Sequence, residues 1–388
     1  MSLTKSTATP PREGEEDISD LYPEDRGWVT ECLSRLRDQR LQPKKTRLIE
    51  FPLPAALDGM KLFVKNESAQ PSGSHKHRLA HALFTNALAS GCLRDGTPVF
   101  EASSGSTAIS EAWYSNELGI KFNAVMPSGT SEEKQQAVRD LKGNVILATA
   151  GEDLVTVARR QAEQSNGHFM DQFTYAERAY DWRSEHGLAP ELCREVEPDW
   201  FVMGAGTGGT VTSVGRYARY TNRKLRVCAT DPENSAFLPG WRDHDRTATD
   251  KGSRIEGIGR PRMEPSFLFP LVNRMIRVHD AASVATMRVA AQYLGIEPGP
   301  STGTGLFGAV QILLGMQANR QRGTIATVLC DAGSRYTAEY YNDDWLDKKG
   351  IDYRAWMEPV ERFFKSGEWQ PPVNFSPAPR PSATLWNM

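Results

Sequence analysis

The sequence predicts an α/β protein of two domains built on twisted parallel sheets flanked by helices. Three observations carry that expectation. Short β-rich runs alternate with helical stretches, several of those runs are almost continuously apolar, and 388 residues exceed what one core usually needs. Alternating strands and helices imply right-handed βαβ units, and strands buried on both faces lose the apolar–polar alternation.

Residues 1 to about 26 are rich in Ser, Thr, Pro and acids and read as a disordered tail. The acids Glu13, Glu15, Glu16 and Asp17 argue against a secretory leader or a transit peptide. Candidate strands follow at 62–65, 98–102, 122–126, 145–148, 200–203, 225–230 and 326–330. Residues 78–89 carry Leu79, Leu83, Phe84, Ala87 and Leu88 at helical spacing and stop at Gly91. Thr130-Ser131-Glu132-Glu133 reads as a capping box opening a helix that runs through Leu141 to Gly143. From about Ser366, five prolines mark an extended arm to residue 388 that carries Trp369 and Trp386. The chain shows no internal repeat.

A formal charge of −2 leaves no cationic footprint for nucleic acid or an anionic membrane. No apolar run approaches the ~20 residues that span a bilayer. The five cysteines (Cys32, Cys92, Cys193, Cys228 and Cys330) are scattered and form no CxxC. That argues against a disulfide framework or structural zinc, and for a reducing, cytoplasmic setting. Nothing in the chain calls for a metal.

Five motifs fall where strands run into helices, the place where open α/β sheets bind ligands. Lys76, in Ser72-Gly73-Ser74-His75-Lys76-His77-Arg78, lies near a helix start whose partial positive charge favours the neutral amine that a Schiff base requires. A solvated turn lysine is the plain alternative. Gly204-Ala205-Gly206-Thr207-Gly208-Gly209-Thr210 can turn backbone N–H groups onto a phosphate, or be an ordinary tight turn. It is not a Walker loop, since no Lys-Ser/Thr follows. It is no clean dinucleotide fingerprint either, since Lys224 and Arg226 stand where an acid would. Glu101-Ala102-Ser103-Ser104-Gly105-Ser106-Thr107-Ala108 suits a carboxylate, or simply caps a helix with Ser104 or Ser106. Gly299–Gly305, before a helical run over 306–314, and Asp331–Tyr336, after the last strand, are weaker signals.

In order and spacing the five motifs resemble the fold-type-II pyridoxal 5′-phosphate family, which includes cysteine synthase, cystathionine β-synthase and the L-cysteine desulfhydrases. The resemblance runs from about Thr46 to Tyr336, and stretches 101–110, 170–183, 231–235 and 254–260 are most similar to the desulfhydrase branch. It implies a tryptophan synthase β-like fold, with a small domain over 66–180 carrying the carboxylate loop. A large domain from 27–65 and 181–365 would carry the phosphate cup, with the cofactor in the cleft, closure on substrate, and a homodimer. Lys76 is then the Schiff-base lysine, and Gly206, Thr207, Gly208, Gly209 and Thr210 form the phosphate cup. Ser301 faces the pyridine nitrogen, while Ser103, Ser104, Ser106, Thr107 and Gln172 hold the substrate carboxylate. Mainstream cysteine synthases carry, at the position of Ser106, an asparagine that binds the cofactor's phenolic oxygen. His77 likewise replaces the usual Asp.

The implied chemistry acts at the β-carbon of a small amino acid. Lys76 removes the α-proton, and the neutral Ser301 leaves the ring nitrogen largely unprotonated, so a β-leaving group departs to give an aminoacrylate. Hydrolysis to pyruvate and ammonia makes an L-cysteine desulfhydrase. Capture by a nucleophile makes a β-replacement synthase acting on O-acetylserine or a related substrate. A non-catalytic cofactor-binding subunit is the rival from another class. Cystathionine β-synthase itself is disfavoured, because about fifty residues after Tyr336 hold no regulatory module and no histidine precedes His75 for haem. His75 and His77 read as solvated or helix-capping rather than as proton relays. Tyr175, Arg178 and Arg183 suit either a lid or salt bridges, and Arg223, Lys224 and Arg226 a solvated edge.

Overall fold

A computed structural model describes residues 26–372. The expected N-terminal tail, Arg26 excepted, and the arm beyond residue 372 lie outside the described residues. In chain order the strands are β1 (Leu48–Phe51), β2 (Met60–Asn66), β3 (Val99–Ala102), β4 (Phe122–Pro127) and β5 (Asn144–Ala148). Then come β6 (His168–Phe169), β7 (Trp200–Gly204), β8 (Arg226–Pro232), β9 (Arg274–Val278) and β10 (Gly323–Leu329). The helices begin with α1 (Arg26–Arg37), α2 (Lys76–Ala89), α3 (Ser106–Leu118), α4 (Glu132–Arg139), α5 (Leu154–Gln164) and α6 (Gln172–Ala179). They continue with α7 (Leu188–Glu195), α8 (Gly209–Tyr220), α9 (Phe237–Asp243), α10 (Asp280–Leu294), α11 (Pro300–Ala318), α12 (Asp343–Lys348) and α13 (Arg354–Ser366).

Two sheets result. The larger runs β1-β2-β10-β7-β8-β9, and only its β1–β2 pair is antiparallel. The smaller runs β5-β4-β3-β6 and is parallel throughout. All seven expected strands form. Their burial explains the apolar runs: every residue of β3 and β7 is buried.

Helix α11 is apolar around most of its circumference because it sits deep in the large-sheet core, against α10. It starts earlier than its sequence suggests. Gly299 is its N-cap and Pro300 its first residue, so residues 301–305 lie inside the helix rather than in a loop before it. The capping box also fails. Ser131, not Thr130, takes the N-cap of α4 and its side chain makes no capping bond, so Glu133 is out of register, and the helix ends at Arg139. Helix α1 packs on α2, placing Cys32 and Leu36 beside Leu83, Phe84 and Tyr114 in the core under the small sheet.

Candidate active site

Lys76 opens α2, and the backbone before it is tied to the end of β10. The His75 amide donates to the Cys330 carbonyl at 2.9 Å, and Ser74 bridges Asp331. Burial strips water from the Lys76 amine and lowers its pKa to about 8. Among the described residues no group hydrogen-bonds its Nζ, which leaves the amine free for a ligand.

Two other strand–helix junctions converge on it. At the end of β7 the chain passes through Gly206, Thr207 and Gly208 into α8, where Gly209 N donates to Thr207 Oγ1 at 3.1 Å. At the end of β3, Ser103 Oγ accepts from Gly105 N and Ala108 N, leaving the first amides of α3 facing the same space. Thr107 Oγ1 donates to Gln172 Oε1 at 2.8 Å, which frees the Gln172 amide nitrogen to donate elsewhere. The N-cap of α3 is Gly105, so neither Ser104 nor Ser106 caps it.

Lys76, Ser103, Ser104, Ser106, Thr107, Gln172, Gly206, Thr207 and Ser301 all line one solvent-open cleft of about 1000 Å³. Gly208 and Thr210 line a recess of about 250 Å³ behind it, reached past Lys76 and Thr207. Gly209 faces a further recess, on the α2 side, that Thr210 also lines. The residues given cofactor or substrate roles in the sequence therefore lie at or directly behind one site.

Several neighbours carried no assigned role in the sequence. Ser106 Oγ donates to Asp331 Oδ2 at 2.9 Å and accepts from Arg335 Nη1 at 2.7 Å, while Tyr336 OH also donates to Asp331 Oδ2 at 2.8 Å. Asp331 Oδ1 is buried without a donor, and burial pushes its carboxyl above the usual range. Residues 255–260 form the facing wall, tied to the glycine loop by the Gly259 amide on the Ala205 carbonyl. The signal for both features was present in Asp331–Tyr336 and 254–260, but single-residue roles were not legible there.

The flanking histidines correct the sequence reading. His77 is fully buried, not solvated, and held in a determined chain of hydrogen bonds. Tyr114 OH donates to the Leu41 carbonyl, so it accepts from His77 Nε2 at 2.9 Å. His77 Nδ1 then accepts from Ser72 Oγ at 3.0 Å, and Ser72 accepts from Ser110. Burial lowers the His77 pKa to about 3, so the ring is a neutral Nε2–H tautomer that props α2 against α3. His75 is likewise neutral, at about 3, and makes no side-chain cap. Arg178 and Arg183 pair with Glu177 and Asp181, as a salt-bridge role requires. Arg223 pairs with Glu197 and Arg226 lies 4.0 Å over the Trp200 ring, so that basic run is partnered rather than merely solvated.

The family model described as "Pyridoxal-phosphate dependent enzyme" matches residues 40–331. The chain belongs to that family. A relative, "L-cysteine desulfhydrase Cds1" of Mycobacterium tuberculosis, is 41% identical over 89% of this chain and 96% of its own. "Cysteine synthase B" of Escherichia coli is 28% identical over 75% and 91%. A solved O-ureido-L-serine synthase superposes with a TM-score of 0.69 at 25% identity, covering 81% of this chain and 98% of its own.

The enzyme's cofactor is pyridoxal 5′-phosphate, and the site fits it. A Cβ on Gly206 would stand 2.2 Å from the Gly257 carbonyl oxygen, and one on Gly208 2.5 Å from Phe267 Cα. Only glycines leave this cradle open at the start of α8, where unpaired amides favour an anion. The buried, unpaired Lys76 amine completes the match. Among the described residues no helix is long and apolar enough to cross a membrane, and no cluster of His, Cys, Asp or Glu could hold a metal ion.

Proposed function

We propose that this enzyme removes sulfide from L-cysteine and leaves pyruvate and ammonia. The similarity to the mycobacterial L-cysteine desulfhydrase, spanning most of this chain and nearly all of that one, carries the reading. Bound in the cleft, pyridoxal 5′-phosphate supplies an aldehyde for an amine and an electron sink for an amino-acid α-carbon. The residues do the rest. Lys76 would hold the aldehyde through its amine, and its free Nζ would take the substrate's α-proton. At a pKa of about 8 the amine is about one-tenth neutral at pH 7, against about one part in three thousand for an ordinary lysine.

Amides and hydroxyls of Gly206, Thr207, Gly208, Gly209 and Thr210 would hold the phosphate, and the Ser301 hydroxyl, a neutral group, would be the partner of the ring nitrogen. Ser103, Ser104, Ser106, Thr107 and the free Gln172 amide hold the substrate carboxylate at the start of α3. The Ser106 hydroxyl, already shared with Asp331 and Arg335, would be the side chain offered to the cofactor's phenolic oxygen. The reading extends to a small domain over 66–180 closing on a large one from 27–65 and 181–365, supported by the two separate sheets. It extends also to a homodimer, as is the family's habit, and to a cytoplasmic setting, supported by five free cysteines.

The likeness to cysteine synthase B and O-ureido-L-serine synthase supports a second reading, β-replacement on the same residues. Release of sulfide and pyruvate from L-cysteine, with and without added thiol, separates the two. Equal sulfide and pyruvate without thiol is the expected result; sulfide that appears only with thiol, and without pyruvate, would identify a synthase. Lys76→Ala should abolish both products and the cofactor's absorbance response to substrate.

A further inference from the structure

Glu111 occupies the second turn of α3, on the side facing β3 and the start of α2. Its side chain is wholly buried, and neither carboxyl oxygen meets a hydrogen-bond donor. An ionised carboxylate left in that state is strongly disfavoured. The charged groups that face it are Glu101 on β3 and Lys76 on α2. Glu101 is equally buried but is served by backbone: Oε1 accepts from Ala102 N at 2.7 Å and Oε2 from Gln172 N at 3.1 Å. One carboxyl of the pair can thus bear charge and the other cannot. Burial raises both: Glu101 to about 7, with the charge of Asp171 adding to it, and Glu111 well above the usual carboxylate range, with the charge of Glu101 adding to it. Asp171 also faces Glu101, while Lys76 faces Arg260, Cys330 and Asp331 as well as the two glutamates.

We propose that Glu111 is a positioning residue, a neutral carboxylic acid whose O–H is given to Glu101, keeping Glu101 anionic opposite Lys76. Through Glu101 it sets the pH at which Lys76 Nζ gives up its proton. A single proton is shared between two oxygens and no other bond changes. The second half rests on the assignment of Lys76 to the cofactor; the first rests on the two carboxyls alone.

Infrared spectra of the holoenzyme, recorded in mildly alkaline solution above the Glu101 value, test the first half. The wild type minus Glu111→Gln difference should contain the C=O stretch of a protonated carboxyl; its absence overturns the proposal. The second half is read from the pH titration of the holoenzyme's visible absorbance. Glu111→Gln still donates to Glu101 and should titrate as wild type. Glu111→Leu fills the space but donates nothing, so Glu101 turns neutral, Lys76 loses its counter-charge, and the midpoint falls by about one pH unit. Glu111→Met replaces it should the leucine variant not fold. An unmoved midpoint in the apolar variant overturns the proposal, as does a glutamine variant that shifts equally, because mere packing would then explain both. Lys76→Ala retaining the wild-type absorbance titration would refute the lysine assignment and the second half together, leaving the infrared result to stand alone.

Discussion

An alanine at position 208 should weaken cofactor binding as well as strain the fold. Gly208 sits at φ +87°, where a Cβ crowds the adjoining carbonyl at about 1–2 kcal/mol. The added methyl would also lie 2.5 Å from Phe267 Cα and 2.6 Å from its Cβ, whereas ordinary contact begins near 3.4 Å. Phe267 has nowhere to go. It is fully buried, stacks on Phe237 at 4.7 Å, and its amide is held by the Glu264 carbonyl. The glycine loop must therefore retreat by about 1 Å, which removes at least one amide–phosphate hydrogen bond, worth about 1.5–3 kcal/mol to a charged acceptor. Affinity for pyridoxal 5′-phosphate should fall roughly ten- to a hundredfold. Titrating cofactor-free protein and following the visible absorbance measures this directly. Gly119→Ala is the control: φ is +75°, nothing lies within 4 Å of the new methyl, and affinity should be unchanged. Wild-type affinity in Gly208→Ala would refute the role given to this loop.

Arg78 binds Glu67 and Glu191 through four hydrogen bonds of 2.7–3.0 Å. Arg78→Met should destabilise by about 3–5 kcal/mol, because it removes the cation between two buried carboxylates and leaves Glu191 to Lys65 and Glu67 to the neutral donors Thr46 and Gln70. Adding Glu67→Gln should recover part of the lost urea midpoint, and a single variant as stable as wild type would contradict this account. The hydrogen bond to Glu233 raises the pKa of His279, so its stabilisation is complete below the unfolded value and disappears as pH rises through the folded one. The melting temperature of His279→Gln should therefore lag the wild type more at about pH 5.5 than at about pH 9; a gap that widens with pH would reverse the sign. Only Cys92 is exposed among the cysteines, while burial pushes the Cys193 thiol up to about 11 and those of Cys228 and Cys330 to about 12. A thiol reagent at neutral pH should label Cys92 alone without loss of activity, and rapid labelling of Cys330 would be inconsistent with that burial.

The strands that the sequence did not reveal, β1, β6 and β9, are all sheet edges. An edge strand faces solvent on one side and often carries charge, as Arg274 and Arg277 do in β9, so it lacks the apolar run that betrays a central strand. Gly-rich and hydroxyl-rich junctions were legible because their composition is unusual wherever the chain must approach an anion. What stayed hidden was pairing across distance. Nothing local joins Ser106 to Arg335, and Glu111 reads as a surface residue until α3 is laid over β3. His77 looked solvated for the same reason, since its partners Tyr114 and Ser72 meet it only in the folded core.

The register of β2 against β10 sets Met60 opposite Gly323, about 260 residues later in the chain. During synthesis the small sheet, with its strands between residues 99 and 169, can complete while the large one still lacks its interior strand. Until β10 emerges, β2 and β7 present two bare, apolar edges separated by the width of one missing strand. A product cut short before residue 323 would not be a slightly smaller enzyme. It would be an open template for strands of other chains, and the cell would meet it as an aggregate rather than as a catalyst of reduced activity.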